Sequence, residues 1–409
     1  MLFLYDSGIQ FYKSLILLAS LKSKKAGAWI QGRKNLLYEI EDHLDKTKRP
    51  IWFHFASLGE FEQGRTVLEE LKVRRPGSSI VITFFSPSGF EIRKDYNLAD
   101  YVFYLPLDTK KNAREFIRIV NPSIAIFTKY EYWYHYFAEL QRINIPLFMI
   151  SAIFRENQPF FKWYGSLHRK MLTMVSHFFV QNDMSKSLLN SLGFNNVSIA
   201  GDTRFDRVVK NASEAKTIDQ VKEFCGDDKI FIAGSTWFED ETLITSLTEK
   251  YPDWKFIIAP HEIKPERIRQ VEKVFPGSVK FSALSTAVNN YRILIVDNIG
   301  MLSSLYQYAD IAYVGGGFGV GIHNTQEAVA FNLPVVFGPN YHKFSEACAL
   351  INAEAAFSIK NSKELGRVMS RLQDRTFREE TGKTGGEYVR SHIGATEIIL
   401  NYIDRFLKN

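Results

Sequence analysis

In "PIWFHFASLGEFEQ", from Pro50 to Gln63, Glu60 stands three residues after Ser57, where an apolar strand-like run gives way to a helical pattern. That spacing suits a capping box, in which serine and glutamate satisfy free backbone N–H groups. The junction is also the carboxyl end of a strand in a parallel-sheet pattern, the place where open α/β folds hold ligands. Glu60 is therefore a cap, a catalytic acid, or both. Farther on, "KIFIAGSTWFEDE" passes from a strand through Gly234, Ser235 and Thr236 to an acidic helix start. Thr236 and Glu239 repeat the box spacing, and such a turn also offers N–H groups and a helix dipole to a phosphate. "KFIIAPHEIKPERI" puts His261 beyond another strand, with Lys264 and Arg267 around a helix start whose first turn accommodates Pro265. This basic cluster either meets a phosphate or carboxylate or is a solvated helix start.

The strongest constellation is "ADIAYVGGGFGVGIHNTQEAVAFNLPVVFGPNYHKFSEA". Gly315, Gly316 and Gly317 end a strand and allow close approach of the backbone to a ligand, because glycine has no Cβ. His323, Asn324 and Glu327 follow at a helix start. A carboxylate there can accept from two ribose hydroxyls while the helix N–H groups face a phosphate. "FGPNYHKF" supplies a second loop to the same rim. The glycines do not have the G-x-G-x-x-G spacing of a dinucleotide site.

These residues need elements to hold them. Runs such as "IWFHF", "SIVITFF", "YVFYLPL", "IAIFT", "PLFMISA" and "HFFVQ" alternate with helical patterns, as βαβ units do, and a second series runs "IFIAGS", "KFIIAPH", "ILIVD", "IAYVGGG" and "PVVFGP". Two Rossmann-like domains facing a cleft fit 409 residues. The expected boundaries are 1–30 for an N-terminal segment, 31–207 for a first domain, 208–218 for a linker, 219–390 for a second domain and 391–409 for a C-terminal helix. Two cysteines, Cys225 and Cys348, form neither a metal-type spacing nor a disulfide framework, which fits a reducing compartment. A net charge of +6 is compatible with anionic partners without specifying one. Lys13, Lys22, Lys24, Lys25, Arg33 and Lys34 oppose only Asp6 in the first 34 residues, around "GIQFYKSLILLASL". Its apolar run is too short to span a bilayer, so the expectation is an amphipathic helix in an anionic membrane surface; the alternative is a terminal helix packed on its own domain.

"HFASLGEFEQ", "FTKYEYW", "AGSTWFEDE", the glycine-rich segment through "FGPNYHKF" and Gly201 to Asp206 occur in order over nearly the whole chain. Together they resemble the 3-deoxy-D-manno-octulosonic acid (Kdo) transferase family. The resemblance implies an α/β GT-B fold and an inverting glycosyltransferase that moves Kdo from CMP-Kdo to the lipid A precursor in lipopolysaccharide biosynthesis. It further implies residence on the cytoplasmic face of the inner membrane, no metal in the transfer, no cofactor and no nucleic-acid partner.

By the same resemblance Glu60, in Ser57-x-Gly59-Glu60, is the general base, and Glu131, in "KYEYW", lines the Kdo pocket or supports Glu60. The bland reading of Glu131 is a helix-start acid favoured by the dipole. Glu327 takes the CMP ribose; Ser235, Thr236 and Gly315 to Gly317 take phosphate and base; His323 and Asn324 fix the loop or touch the phosphate. Ser57 and Gly59, with Ser151 and Arg155 in "SAIFRE", line the acceptor side. Two positions depart from the family pattern: His261 stands where most members have arginine, with Lys264 and Arg267 as candidate replacements, and Ser151 and Arg155 are shifted. "FFKWYG", Phe160 to Gly165, either meets the acceptor's acyl chains or is buried aromatic packing. The alternatives are another GT-B transferase or sugar-nucleotide epimerase, which would lack the pair of acids, and a non-catalytic membrane-surface scaffold, which would have no use for them.

Overall fold

The computed structural model describes residues 1–284 and 291–407. Residues 285–290 of the expected second domain and 408–409 of the expected C-terminal helix lie outside the described residues. Contacts divide the chain into two compact units, Met1–Asp206 with Ile393–Asn409, and Arg207–His392. Helix Thr203–Ser213 runs through this junction and into the stretch expected as a linker.

Strands β1 (Ile51–Phe55), β2 (Ile80–Phe84), β3 (Tyr101–Tyr104), β4 (Ile124–Thr128), β5 (Leu147–Ala152), β6 (His177–Val180) and β7 (Val197–Ile199) form the sheet of the first unit. All pairs are parallel and the order is β3-β2-β1-β4-β5-β6-β7. β1, β2, β4, β5 and β6 are buried along their whole length, which is why they read as continuous apolar runs instead of alternating ones. One face carries Trp52, Phe116, Phe127 and Tyr136; the other carries Phe53, Phe55, Phe148 and Phe179. The second face is closed by helix Ala395–Ile403, through Ala395, Ile399 and Leu400. Asp206 anchors that returning segment, its carboxylate accepting from the Gly394 and Thr396 backbone N–H groups, the latter at 2.7 Å.

The second unit repeats the plan with β8 (Lys229–Thr236), β9 (Trp254–Pro260), β10 (Val279–Lys280), β11 (Ile293–Ile295), β12 (Ile311–Val314), β13 (Val335–Phe337) and β14 (Ala356–Ser358). Its order is β10-β11-β9-β8-β12-β13-β14, again parallel. The order reverses between β1 and β4 in the first sheet and between β8 and β12 in the second, where β10 and β11 are also exchanged at the edge. Crevices for ligands open at the carboxyl ends of such reversals.

Helices α1 (Leu2–Ser20), α2 (Lys24–Gln31) and α3 (Leu36–His43) precede β1. α1 is tied to the first unit by polar and aromatic side chains. The Tyr5 hydroxyl donates to Asp108, Asp6 meets His135 at 2.6 Å, and Tyr12 packs on Trp29 and Phe85. Burial is the main cause that raises the pKa values of Tyr5 and Asp108, while the Asp108 carboxylate also accepts from the His135 and Tyr136 backbone N–H groups, both at 3.2 Å. Phe3, Leu4, Phe11, Leu15, Leu17, Leu18 and Leu21 point to solvent, Leu21 at 82% exposure. Among the described residues no helix is long and apolar enough to cross a membrane.

Candidate functional site

Ser57 is the residue before α4 (Leu58–Arg74), but its hydroxyl does not accept from the helix N–H groups. It donates to the Glu60 carboxylate. The expected capping box is therefore replaced by a direct side-chain bond, since an ionised carboxylate offers the hydroxyl proton a stronger acceptor than any backbone carbonyl nearby. Glu60 is half-buried and Gly59 exposed. The Glu60 charge raises the pKa of Tyr130 and the Arg155 charge lowers it, while burial contributes the largest upward push. Tyr130 thus sits within electrostatic reach of both groups, and Arg155 is exposed. Ser151 behaves differently. It is wholly buried at φ 48°, with its hydroxyl 2.9 Å from that of Thr203, so it faces the core and not a cleft.

Glu131 lies in the loop between β4 and helix Tyr134–Arg142. Its carboxylate is not spent on helix N–H groups. One oxygen, Oε2, accepts from Trp133 Nε1 at 2.9 Å and lies 3.2 Å from His54 Nε2. His54 is wholly buried in the middle of β1, its Nδ1 2.9 Å from the Thr83 hydroxyl, which accepts from Trp52 Nε1 at 2.8 Å. A carboxylate can only accept, which assigns a proton to His54 Nε2. Every group in this chain is satisfied, and the second carboxylate oxygen of Glu131 has no protein partner among the described residues.

At the other reversal, Ser235 forms a bulge in β8 at φ 54°. Thr236 is wholly buried and its hydroxyl donates to Glu241 at 2.8 Å, so it does not form the expected box with Glu239. The box falls one residue later: Trp237 precedes the helix, and Asp240 accepts from its backbone N–H at 2.9 Å. Asp240 also accepts from the Gly316 N–H at 2.9 Å and the Tyr313 hydroxyl at 2.7 Å. The Gly315 N–H goes to the Gly234 carbonyl. Two of the three expected phosphate-cradling amides are therefore committed inside the protein; Gly317 N–H alone has no acceptor among the described residues. A Cβ on Gly317 would stand 2.6 Å from Gly338 Cα, so glycine is required for two backbones to pass.

Arg267 pairs with the buried Glu241 at 2.5 Å, and Lys264 is exposed near Glu262 at 3.5 Å. His261 lies between Trp237 and His323, with ring centroids at 4.8 Å and 4.4 Å. Trp237 Nε1 donates to His323 Nε2 at 3.2 Å. Burial, followed by the His261 charge, pushes the His323 pKa down to about 4. Asn324 donates to Glu327 at 3.1 Å and accepts from the Gln326 N–H at 3.0 Å. Burial raises the Glu327 pKa, against the pull of Asn324 and of Arg207. His54, Trp133, Tyr130, Asp240 and Trp237 were not singled out from sequence. A histidine inside an apolar run, which must find a partner once buried, was the available signal for the first.

The chain is similar to known proteins. The profile described as "3-Deoxy-D-manno-octulosonic-acid transferase (kdotransferase)" matches residues 31–207. A 3-deoxy-D-manno-octulosonic acid transferase of Haemophilus influenzae is 28% identical over 378 residues, 88% of this chain and 87% of that protein. One from Chlamydia muridarum is 25% identical over 381 residues, 89% and 88% of the two chains. Among solved structures, UDP-GlcNAc 2-epimerase from Neisseria meningitidis bound to UDP-GlcNAc superposes with a TM-score of 0.63 at 16% identity, over 87% of this chain and all of that one. That likeness carries the fold class, GT-B, and nothing about activity.

Proposed function

We propose that this chain, which is similar to Kdo transferases over most of its length, moves Kdo from CMP-Kdo to the lipid A precursor at the cytoplasmic face of the inner membrane. The observation that supports this reading is the pairing of β1 with β4, which sets the helix start that carries Glu60 beside the loop that carries Glu131 at one reversal. Glu60 takes the proton of the acceptor's primary hydroxyl as that oxygen attacks the anomeric carbon of Kdo; CMP departs with the bonding electrons and the configuration inverts. The Ser57 hydroxyl keeps the carboxylate in one rotamer, and a base fixed in reach of its proton is what such catalysis needs. Glu131, held by His54 and Trp133, presents its open oxygen to the sugar.

On the donor side Glu327 accepts from ribose hydroxyls, and Ser235, His261, His323 and the Gly317 N–H take phosphate and base. No metal enters this reading: a nucleoside monophosphate has less charge to neutralise than a diphosphate, and helix-start N–H groups with imidazoles can supply the need. The exposed apolar side of α1 supports membrane-surface residence, as does Trp163 at 91% exposure; Phe160, by contrast, is core. Incubating the protein with CMP-Kdo and tetraacylated lipid A precursor, then counting added Kdo by mass spectrometry, tests the proposal. Expected is a lipid heavier by one or more Kdo units. CMP release without a heavier lipid would overturn the acceptor, and unconsumed CMP-Kdo the donor.

A further inference from the structure

In the first unit a recess of about 570 Å³ opens among α1, α2, α3 and the loop after β3, lined in part by Gln10, Lys13, Gln31, Arg33, Lys34 and Asn35. Its volume is that of an ordinary ligand site. No aspartate or glutamate lines it. Arg33 is held rigidly: Nε donates to the Leu105 carbonyl at 2.9 Å, Nη1 to Trp29 at 3.2 Å and Nη2 to Phe85 at 2.7 Å, with the guanidinium 3.9 Å from the Trp29 ring centroid. The guanidinium also faces the Phe85 and Tyr104 rings, at 5.1 and 4.9 Å, but Arg33 pairs with no carboxylate among the described residues. Burial without a counter-ion lowers its pKa to about 9, which still leaves it cationic at neutral pH. Buried charges are ordinarily paired with an opposite charge, whereas this one is met by carbonyl oxygens and aromatic faces. Lys13 and Lys34 are exposed and form no ion pair among the described residues.

We propose that this recess binds the phosphate monoester headgroup of a membrane lipid. A monoester carries about −1.5 to −2 charges at pH 7, which matches two free lysines over a fixed guanidinium better than a singly charged diester does. The recess shares α1 with the exposed Phe11, Leu15 and Leu18, so acyl chains attached to the phosphate have an apolar surface beside them. A soluble phosphate would make no use of that surface. The inference rests on the membrane reading above and adds the headgroup chemistry to it.

The test uses the full chain and vesicles of phosphatidylcholine carrying either phosphatidic acid, a monoester, or phosphatidylglycerol, a diester, at matched surface charge. The wild-type protein is expected to partition about tenfold better to phosphatidic acid, a preference of the size one or two charge-assisted hydrogen bonds give. Lys13→Gln/Lys34→Gln is expected to abolish that preference. The control Lys22→Gln/Lys24→Gln, which removes exposed lysines outside the recess, weakens binding to both vesicles by about fivefold per lysine and keeps the preference. Equal partitioning of the wild type, or a preference that survives in Lys13→Gln/Lys34→Gln, overturns the proposal while leaving membrane association standing. Failure to bind any anionic vesicle defeats the membrane reading itself. Inorganic phosphate abolishing the preference at equal effectiveness with and without the α1 residues Phe11 and Leu15 changed to Ser would reassign the recess to a soluble anion.

Discussion

The two sheet reversals are built alike and finished differently. Between β1 and β4 the polar side chains serve one another so that carboxylate oxygens stay open: Ser57 holds Glu60, and His54 with Trp133 holds one oxygen of Glu131. Between β8 and β12 the protein consumes its own polar groups, with Asp240 taking the Gly316 amide, Glu241 taking Thr236 and Arg267, and Trp237 covering His323. A group that must exchange a proton needs a free lone pair. A surface that must recognise a fixed ligand instead needs rigidity, and internal bonds supply it.

The largest effect should fall on the first reversal. Glu60→Gln is expected to lower transfer by about 10²–10⁴-fold, the usual worth of a positioned base, with CMP-Kdo affinity unchanged; near-normal turnover in the folded variant would remove the distinction between the two sites. Glu327→Gln should do the converse. By calorimetry it is expected to weaken CMP-Kdo binding about 10–100-fold, the cost of losing charge-assisted bonds, and to leave turnover at saturating donor within a few-fold. His54→Phe keeps the ring volume but strips Thr83 and Glu131 of a partner, which should lower the urea-unfolding free energy by about 1–3 kcal/mol. An unchanged urea midpoint would mean that His54 is mere filling.

The smallest effect concerns acid. His323 binds its proton near pH 4 when folded and near the ordinary histidine value, about 6.5, when unfolded. Between those values the unfolded chain holds the extra proton, so His323 destabilises the fold progressively as pH falls from about 6.5 to 4 and has no effect above that window. Thermal melts across this range should fall less steeply in His323→Gln. An identical slope would show that the Trp237 stack does not depend on a neutral imidazole. The buried His177, also lowered to about 4, supplies a similar slope in the other unit that this substitution leaves intact.

Much of this was legible in the sequence, for physical reasons. Doubly buried parallel strands such as Ile51–Phe55 and Ile124–Thr128 advertise themselves as apolar runs. The edge strands Val197–Ile199, Val279–Lys280 and Ala356–Ser358 were missed because each is short and holds a polar residue, unlike the equally short but wholly apolar Ile293–Ile295 and Val335–Phe337. Spacing located Ser57 with Glu60 and the turn at Thr236, yet it could not say which atoms bond. At both helix starts a side-chain carboxylate won the contest for a hydroxyl proton, with Glu60 and Glu241 as acceptors. The burial of Ser151 was equally out of reach, since its partner Thr203 is distant in sequence.

The segment tied down by Asp206 bears on how the protein is made. Helix Ala395–Ile403 covers the sheet face of Phe148 and Phe179, so the first unit closes only after the whole second unit has left the ribosome. During synthesis that face is an open apolar surface, the condition under which nascent chains draw chaperones or aggregate.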